Sequence, residues 1–139
     1  MTERILVPYD GSPPAKKALE YAFEKFTDPD VTALYVVPVP DGYREAFTET
    51  EERVPVVDEE SGQTVLEEAA ETAAESGHEL RTELDTGKPD HVIVERAADE
   101  GYDTIVLGSH GRAGVSRLLL GSVAENVVRR ATVPVVVVR

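Results

Sequence analysis

Cysteine is missing from all 139 residues, which excludes disulfides, thiolate metal sites and cysteine nucleophiles. No apolar run approaches the length of a membrane span, and Met1 to Arg4 followed only by Ile5, Leu6 and Val7 is too short for the hydrophobic region of a secretory signal. A soluble, cytoplasmic protein is the expectation. Histidine is scarce as well: the three residues, His78, His91 and His110, are scattered rather than spaced for a metal. Positive charge is short, with 14 Lys and Arg against 27 Asp and Glu, and the net charge of −13 disfavours binding to nucleic acid or to an anionic membrane surface. Four lysines against ten arginines, with acids spread over expected helix surfaces, fit adaptation to high salt, with an ordinary acidic cytosolic protein as the alternative.

What is present has the rhythm of one α/β domain. Five strand candidates, Ile5 to Val7, Val31 to Val37, His78 to Leu84, Thr104 to Leu107 and Val133 to Val138, are separated by helical patterns, as in a parallel sheet. The first, fourth and fifth are apolar on both faces and so predict a sheet covered by helices on both sides. Ser12 as N-cap and Pro13 at the first helical position start a helix to about Phe26, with Ala15, Ala18, Leu19, Ala22, Phe23 and Phe26 as its stripe. Asp58, Glu59 and Glu60 open a second helix that Gly77 closes. Pro89 and Asp90 start a third, with Val92, Ile93 and Ala97 inward and Gly101 at its end. Ser122 and Glu125 have capping-box spacing and start a fourth, which turns Val123, Val127, Val128 and Ala131 inward.

The segment from Gly108 to Ser122 carries the chemistry. Gly108, Gly111 and Gly121 hang from the end of the apolar strand Thr104 to Leu107 and open onto the Ser122 helix. Glycine lets backbone amides approach an anion without a Cβ, and a helix start adds unpaired N–H groups and a favourable dipole. Residues 104 to 139 hold five arginines and the single acid Glu125, so this part is net +4 in a chain whose first 103 residues carry −17. The four-residue pattern arises by chance in about half a percent of chains this long, and a wide motif search raises that about tenfold, so it is specific only in its strand-to-helix setting.

In an open parallel sheet the ligand lies outside the carboxyl ends of the strands at the switch point. That brings Pro8, Asp10 and Ser12, the Val36–Val37 strand end and Gly108 to one crevice. Asp10 is then placed to meet a ribose hydroxyl or a divalent metal; its alternative role is a turn-forming aspartate before Gly11 and Ser12. Gly108, Gly111 and Gly114 have a plainer reading too, as a strand end and a loop. The stretch from Pro38 to Val57, with eight acids among residues 41 to 60, reads as a solvated insertion in preference to a lid bringing Tyr43 or Phe47 to the ligand. Pro134 in Val133 to Val138 argues for an edge strand, and an exposed apolar edge invites a homodimer through that strand.

Gly108-Ser109-His110-Gly111-Arg112, followed after nine residues by Gly121-Ser122, resembles the G-x2-G-x9-G-S/T nucleotide signature of the universal stress protein family. The similarity continues through Ile5 to Ser12, Leu34 to Val37, Leu118 to Glu125 and Val133 to Val138, nearly the whole chain as one domain, 1–139. The resemblance implies a single-domain, Rossmann-like α/β fold, an open five-stranded parallel sheet in the order 3-2-1-4-5 with helices on both faces. It implies ATP binding with Mg2+ or Mn2+, in the subgroup that keeps the glycine signature. Carried over by position, Pro8 and Asp10 line the site and Val36 meets the adenine edge through its backbone. Gly108, Ser109, His110, Gly111, Arg112, Ala113 and Gly114 wrap ribose and phosphates, and Gly121, Ser122, Val123 and Ala124 hold the distal phosphates. Tyr35 stands where other members often have histidine. Family members also dimerise through the last strand, here around Val135 to Val138.

Catalysis has far less behind it. The chain has no G-x4-G-K-S/T loop, no glycine triplet after the first strand, and no serine, histidine and acid set with an arguable proximity. His110 reads as an exposed loop histidine in preference to a phosphate contact or hydrolytic group, and His78 and His91 as a strand residue and a helix-surface residue. Three functions fit: a nucleotide-dependent regulatory module in stress adaptation, which leads; a slow ATP hydrolase; and a dimeric interaction protein with a vestigial nucleotide site.

Overall fold

The computed structural model of the chain describes residues 2–38, 54–109 and 121–139. Ile5, Leu6 and Val7 are fully buried at the centre of strand β1 (Glu3–Pro8), each worth about 1.5–3 kcal/mol of apolar burial. Around it lie β2 (Pro29–Pro38), β3 (Leu80–Gly87), β4 (Thr104–Gly108) and β5 (Val135–Val138), all parallel, in the order β3-β2-β1-β4-β5. The expected sheet and its order are both present. Every residue of β4 is buried, as a strand covered on two faces requires.

Helices α1 (Pro13–Lys25), α2 (Val54–Glu75), α3 (Pro89–Asp99) and α4 (Ser122–Arg130) divide between the two faces. Ala15, Ala18, Leu19 and Ala22 of α1 and Leu66 and Ala69 of α2 pack with Ile5, Val7, Val31, Ala33 and Val106 on one side. Ile93 and Ala97 of α3 and Ala124 and Val127 of α4 pack with Leu6, Leu34, Ile105 and Leu107 on the other. Strand alternation thus separates two cores.

Helix α1 starts as its sequence predicts: the Ser12 hydroxyl accepts from the Ala15 N–H at 3.4 Å, and Pro13 and Pro14 fill positions whose own N–H would lack a partner. Helix α2 begins at Val54, earlier than the Asp58 expected, and Pro55 is compatible because it falls in the first turn. Its end is as expected, with Gly77 at φ +82 and the His78 N–H donating to Ala73 at 2.8 Å. Gly62 lets α2 settle on the sheet, since a Cβ there would come within 2.7 Å of the Tyr35 ring and 2.9 Å of Leu84. Arg96 of α3, 18% exposed, ties that helix to β3 by pairing with Glu83, with Asp85 at 3.0 Å and with Glu100 at 3.6 Å.

Four expectations are corrected. Strand β5 begins at Val135, not Val133, and Pro134 precedes it, its carbonyl accepting from Ile105 at 2.9 Å. His78 is not in a strand; it lies in the turn before β3, stacked on Phe23 with ring centroids 4.3 Å apart. Val128 does not point inward and is 46% exposed, because the inward stripe of α4 runs through Ala124 and Val127. Ser122 does not cap its helix: Gly121 takes that place and Ser122 is the first helical residue. The insertion reading of the Pro38 to Val57 stretch, and with it Tyr43 and Phe47, lies outside the described residues apart from Pro38 and the start of α2.

Candidate functional site

Strand β1 stops short of its neighbours, and that step forms the crevice. Pro8 aligns with Leu34, and the Tyr9 N–H still reaches the Leu34 carbonyl at 2.8 Å, while β2 continues to Pro38 beside Gly87 of β3. Since Leu34 turns its main chain toward β1, alternation turns the N–H and C=O of Val36 to the same side, into the space beyond the end of β1. On the other flank β4 runs on to Gly108, and the Ser109 N–H donates outward to Val138 of β5 at 2.9 Å. By the same alternation the main chain of Gly108 faces the β1 side.

The turn after β1 is built by local hydrogen bonding. Asp10 Oδ1 accepts from the Ser12 N–H at 3.0 Å, and Gly11, at φ +83, provides the left-handed step. The turn-forming role of Asp10 is therefore real, and its exposed carboxylate stands at the strand end as well. Gly108 is held by packing: a Cβ there would fall 2.4 Å from the carbonyl carbon and oxygen of Pro14. The start of α1 and the end of β4 touch through backbone.

Helix α4 runs back against its strand, so its N-terminus lies at the same end of the sheet. Gly121 is extended, with φ −66 and ψ 159, and its carbonyl accepts from Glu125 at 2.9 Å as the first helical bond. The amides of Ser122, Val123 and Ala124 precede that bond and have no acceptor within the helix. Arg129 and Arg130 in the last turn complement the dipole whose positive end is at Ser122.

The fold thus brings Pro8, Asp10, Val36, Gly108, Ser109 and Gly121 to Ala124 to one edge of the sheet. Of the other residues expected there, His110, Gly111, Arg112, Ala113 and Gly114 lie outside the described residues. Among the described residues no group of three or more acids or histidines is placed to hold a metal, so Asp10 would meet a cation only as one ligand among others. No described helix is long and apolar enough to cross a membrane.

Tyr9, next to Asp10, is a buried residue that motif reading passes over. It is 7% exposed, and burial pushes its phenol above the ordinary value of 10.0, with Asp10, Glu68 and Glu20 adding to the rise. Its position two residues beyond Val7, on the α1 side of the sheet, is a signal that alternation could have supplied.

The family model of the universal stress protein family matches residues 1–139. A universal stress protein of Methanocaldococcus jannaschii is 37% identical over 139 residues, 99% of this chain and 82% of that protein. The solved structure of UspA from Lactobacillus plantarum, 28% identical, superposes with a TM-score of 0.80 over 99% of this chain and 97% of that one. Two more distant structures share the fold: an Arabidopsis thaliana family protein with AMP bound (21% identical, TM-score 0.70, 98% and 90% covered) and a universal stress protein in complex with cAMP (22%, 0.65, 99% and 96%). Some members of this family bind nucleotides. The chain belongs to the universal stress protein family.

Proposed function

We propose that the crevice binds ATP, accompanied by Mg2+ or Mn2+, and that the protein acts as a nucleotide-dependent regulatory module rather than a catalyst. The observation that carries this reading is the meeting of the main chains of Val36 and Gly108 with the helix start at Ser122, at the carboxyl edge of three adjacent strands. Neighbouring strands are about 4.8 Å apart, so β2 to β4 spans about 10 Å, the scale of a nucleoside. In this reading the Val36 main chain meets the adenine edge. Pro8 and Asp10 flank the ribose, and Asp10 reaches the metal alongside phosphate oxygens. Gly108 to Gly114 wrap ribose and phosphates, with the amides of Ser122, Val123 and Ala124 on the distal phosphates. The AMP and cAMP complexes of distant members support an adenine nucleotide.

Regulation is preferred to hydrolysis because what the sequence offers at this edge is anion-binding main chain, and it has no G-x4-G-K-S/T loop and no serine, histidine and acid set with an arguable proximity. The module would signal as a homodimer joined along β5, an edge strand whose four valines are half-buried in the single chain. Calorimetry with ATP and magnesium tests the site: saturable binding with slow or no release of inorganic phosphate is expected. No binding at millimolar ATP would overturn the proposal and leave an interaction protein; turnover lost in Asp10→Ala would make it a hydrolase.

A further inference from the structure

Helix α4 carries a second stripe besides the one it buries. Ala124 and Val127 pack with Ile105 and Leu107 of β4 and with Val135 and Val137 of β5, so the helix lies over the outer two strands of the sheet. Helix α3 stands beside it over β1 and β2, and the flank of α4 nearer to α3, with Val123 and Asn126, is half-buried. The opposite flank looks over the β5 edge and is exposed. Glu125 and Val128 lie on it, and Val128, 46% exposed, is the one large apolar side chain left in solvent among the described residues. Ser122, Glu125 and Arg129, at i, i+3 and i+7, form a polar row along the outer side, with Arg129 paired to Glu125 at 2.8 Å.

We propose that in the β5 dimer each α4 packs against the partner's α4 through Val128, and that the partner's Arg129 completes the phosphate end of the nucleotide crevice. The inference rests on the dimer and on the nucleotide reading given above. Two identical edges join about a two-fold axis, which sets β5 antiparallel to its copy and turns one α4 end for end against the other. Neighbouring strands are about 4.8 Å apart and each α4 covers the last two, so the two helix axes come about 10 Å apart, an ordinary distance for packed helices. Two steps of sheet twist cross them at about 45°, close to the commonest packing angle.

The ends of the two helices then exchange. Strand β5 has four residues and α4 nine, so each is about 13 Å long, and both lie along the ladder from Ile105 to Gly108, which puts the two-fold axis near the middle of each. Ser122 and Arg129 stand about 10 Å apart along α4, on either side of that middle. The partner's Arg129 therefore comes level with Ser122, one helix spacing away, where a guanidinium can meet an anion held on the Ser122 to Ala124 amides. The Arg129 of the same chain is at the far end of the helix and cannot. Its pair with Glu125 is exposed on both sides and contributes little, so a phosphate oxygen can replace the carboxylate.

The test measures binding of ATP with magnesium by calorimetry and self-association by sedimentation, on the full chain. Val128→Glu should keep the circular dichroism of the parent and weaken the dimer about tenfold; an unchanged dimer would overturn the helix contact. Arg129→Gln should stay dimeric and bind ATP about tenfold more weakly, and Gly121→Val should stay dimeric and bind none. An equimolar mixture of these two variants decides where the arginine acts. Each heterodimer has one intact cradle facing the partner's Arg129, and should recover the parent affinity at one site. No recovery in the mixture, or parent-like binding in Arg129→Gln alone, would overturn the proposal. A parent whose dimer responds to Val128→Glu but which binds no ATP would refute the nucleotide reading and the role of Arg129 together, and leave the helix contact standing.

Discussion

Gly108 at the end of β4 rests on the main chain of Pro14, with room for a hydrogen but none for a methyl group. The first glycine of the signature is therefore required by the union of strand and helix before any ligand is considered, whereas Gly121 has ordinary extended geometry that other residues adopt.

These two glycines should separate stability from binding. Gly108→Ala must push α1 off β4 and is expected to cost about 1–3 kcal/mol, read as a lower urea midpoint. Gly121→Val should cost no more than about 1 kcal/mol, the loss of a favourable N-cap, and abolish ATP binding in calorimetry, because its side chain intrudes where phosphates would meet the Ser122 amides. A parent-like midpoint in Gly108→Ala would show that α1 can give way.

Arg96 stands among three carboxylates, and Arg96→Met would leave Glu83, Asp85 and Glu100 without their shared cation. All three are partly exposed, so the loss should be about 1 kcal/mol in dilute buffer and smaller in 1 M salt. Thermal unfolding at the two salt levels checks both the sign and the screening.

Tyr9 predicts an alkaline limb. Its folded pKa lies above the unfolded value of 10.0, so the folded state holds a proton that the unfolded state gives up. The contribution to stability is whole below pH 10 and is lost as pH rises from 10 through the folded pKa. Tyr9→Phe should flatten that limb in denaturation measured between pH 8.5 and 11, and an unchanged slope would count against a strongly held phenol.

The dimer proposed along β5 rests on Val135 to Val138 at the sheet edge. Val136→Lys should move the protein from dimer to monomer in sizing by light scattering, with the circular dichroism of the folded chain retained. Persistence of an unaltered dimer would place the contact elsewhere.

Much of this architecture is legible in the sequence, because parallel strands buried on both faces are written as short apolar runs and helices as stripes with caps. Ser12, Pro13, Gly77 and Pro89 mark ends that the structure keeps. The misses are local. Ser122 and Gly121 both suit a helix start, and only the Glu125 hydrogen bond chooses between them. Val128 has the chemistry of a core residue, but the turn of α4 puts Ala124 and Val127 on the inner side. The step at the end of β1 is readable in outline from where the apolar runs stop, whereas Gly111 and Gly114 lie outside the described residues. The closeness of Gly108 to Pro14 is not legible, since nothing along the chain reports how near two backbones come.

The central place of β1 also governs when the chain can fold as it is made. Residues 3–8 are made ahead of β2, which can join them early, but the other edge of β1 waits for Thr104 and Ile105, about a hundred residues later. Until then β1, whose Ile5, Leu6 and Val7 end fully buried, has one side bare, with Leu6 lacking the Ile105 and Leu107 neighbours of its core. At about 5–20 residues per second of synthesis that wait lasts at least several seconds, so the nascent chain is most in need of shielding between the making of β1 and of β4.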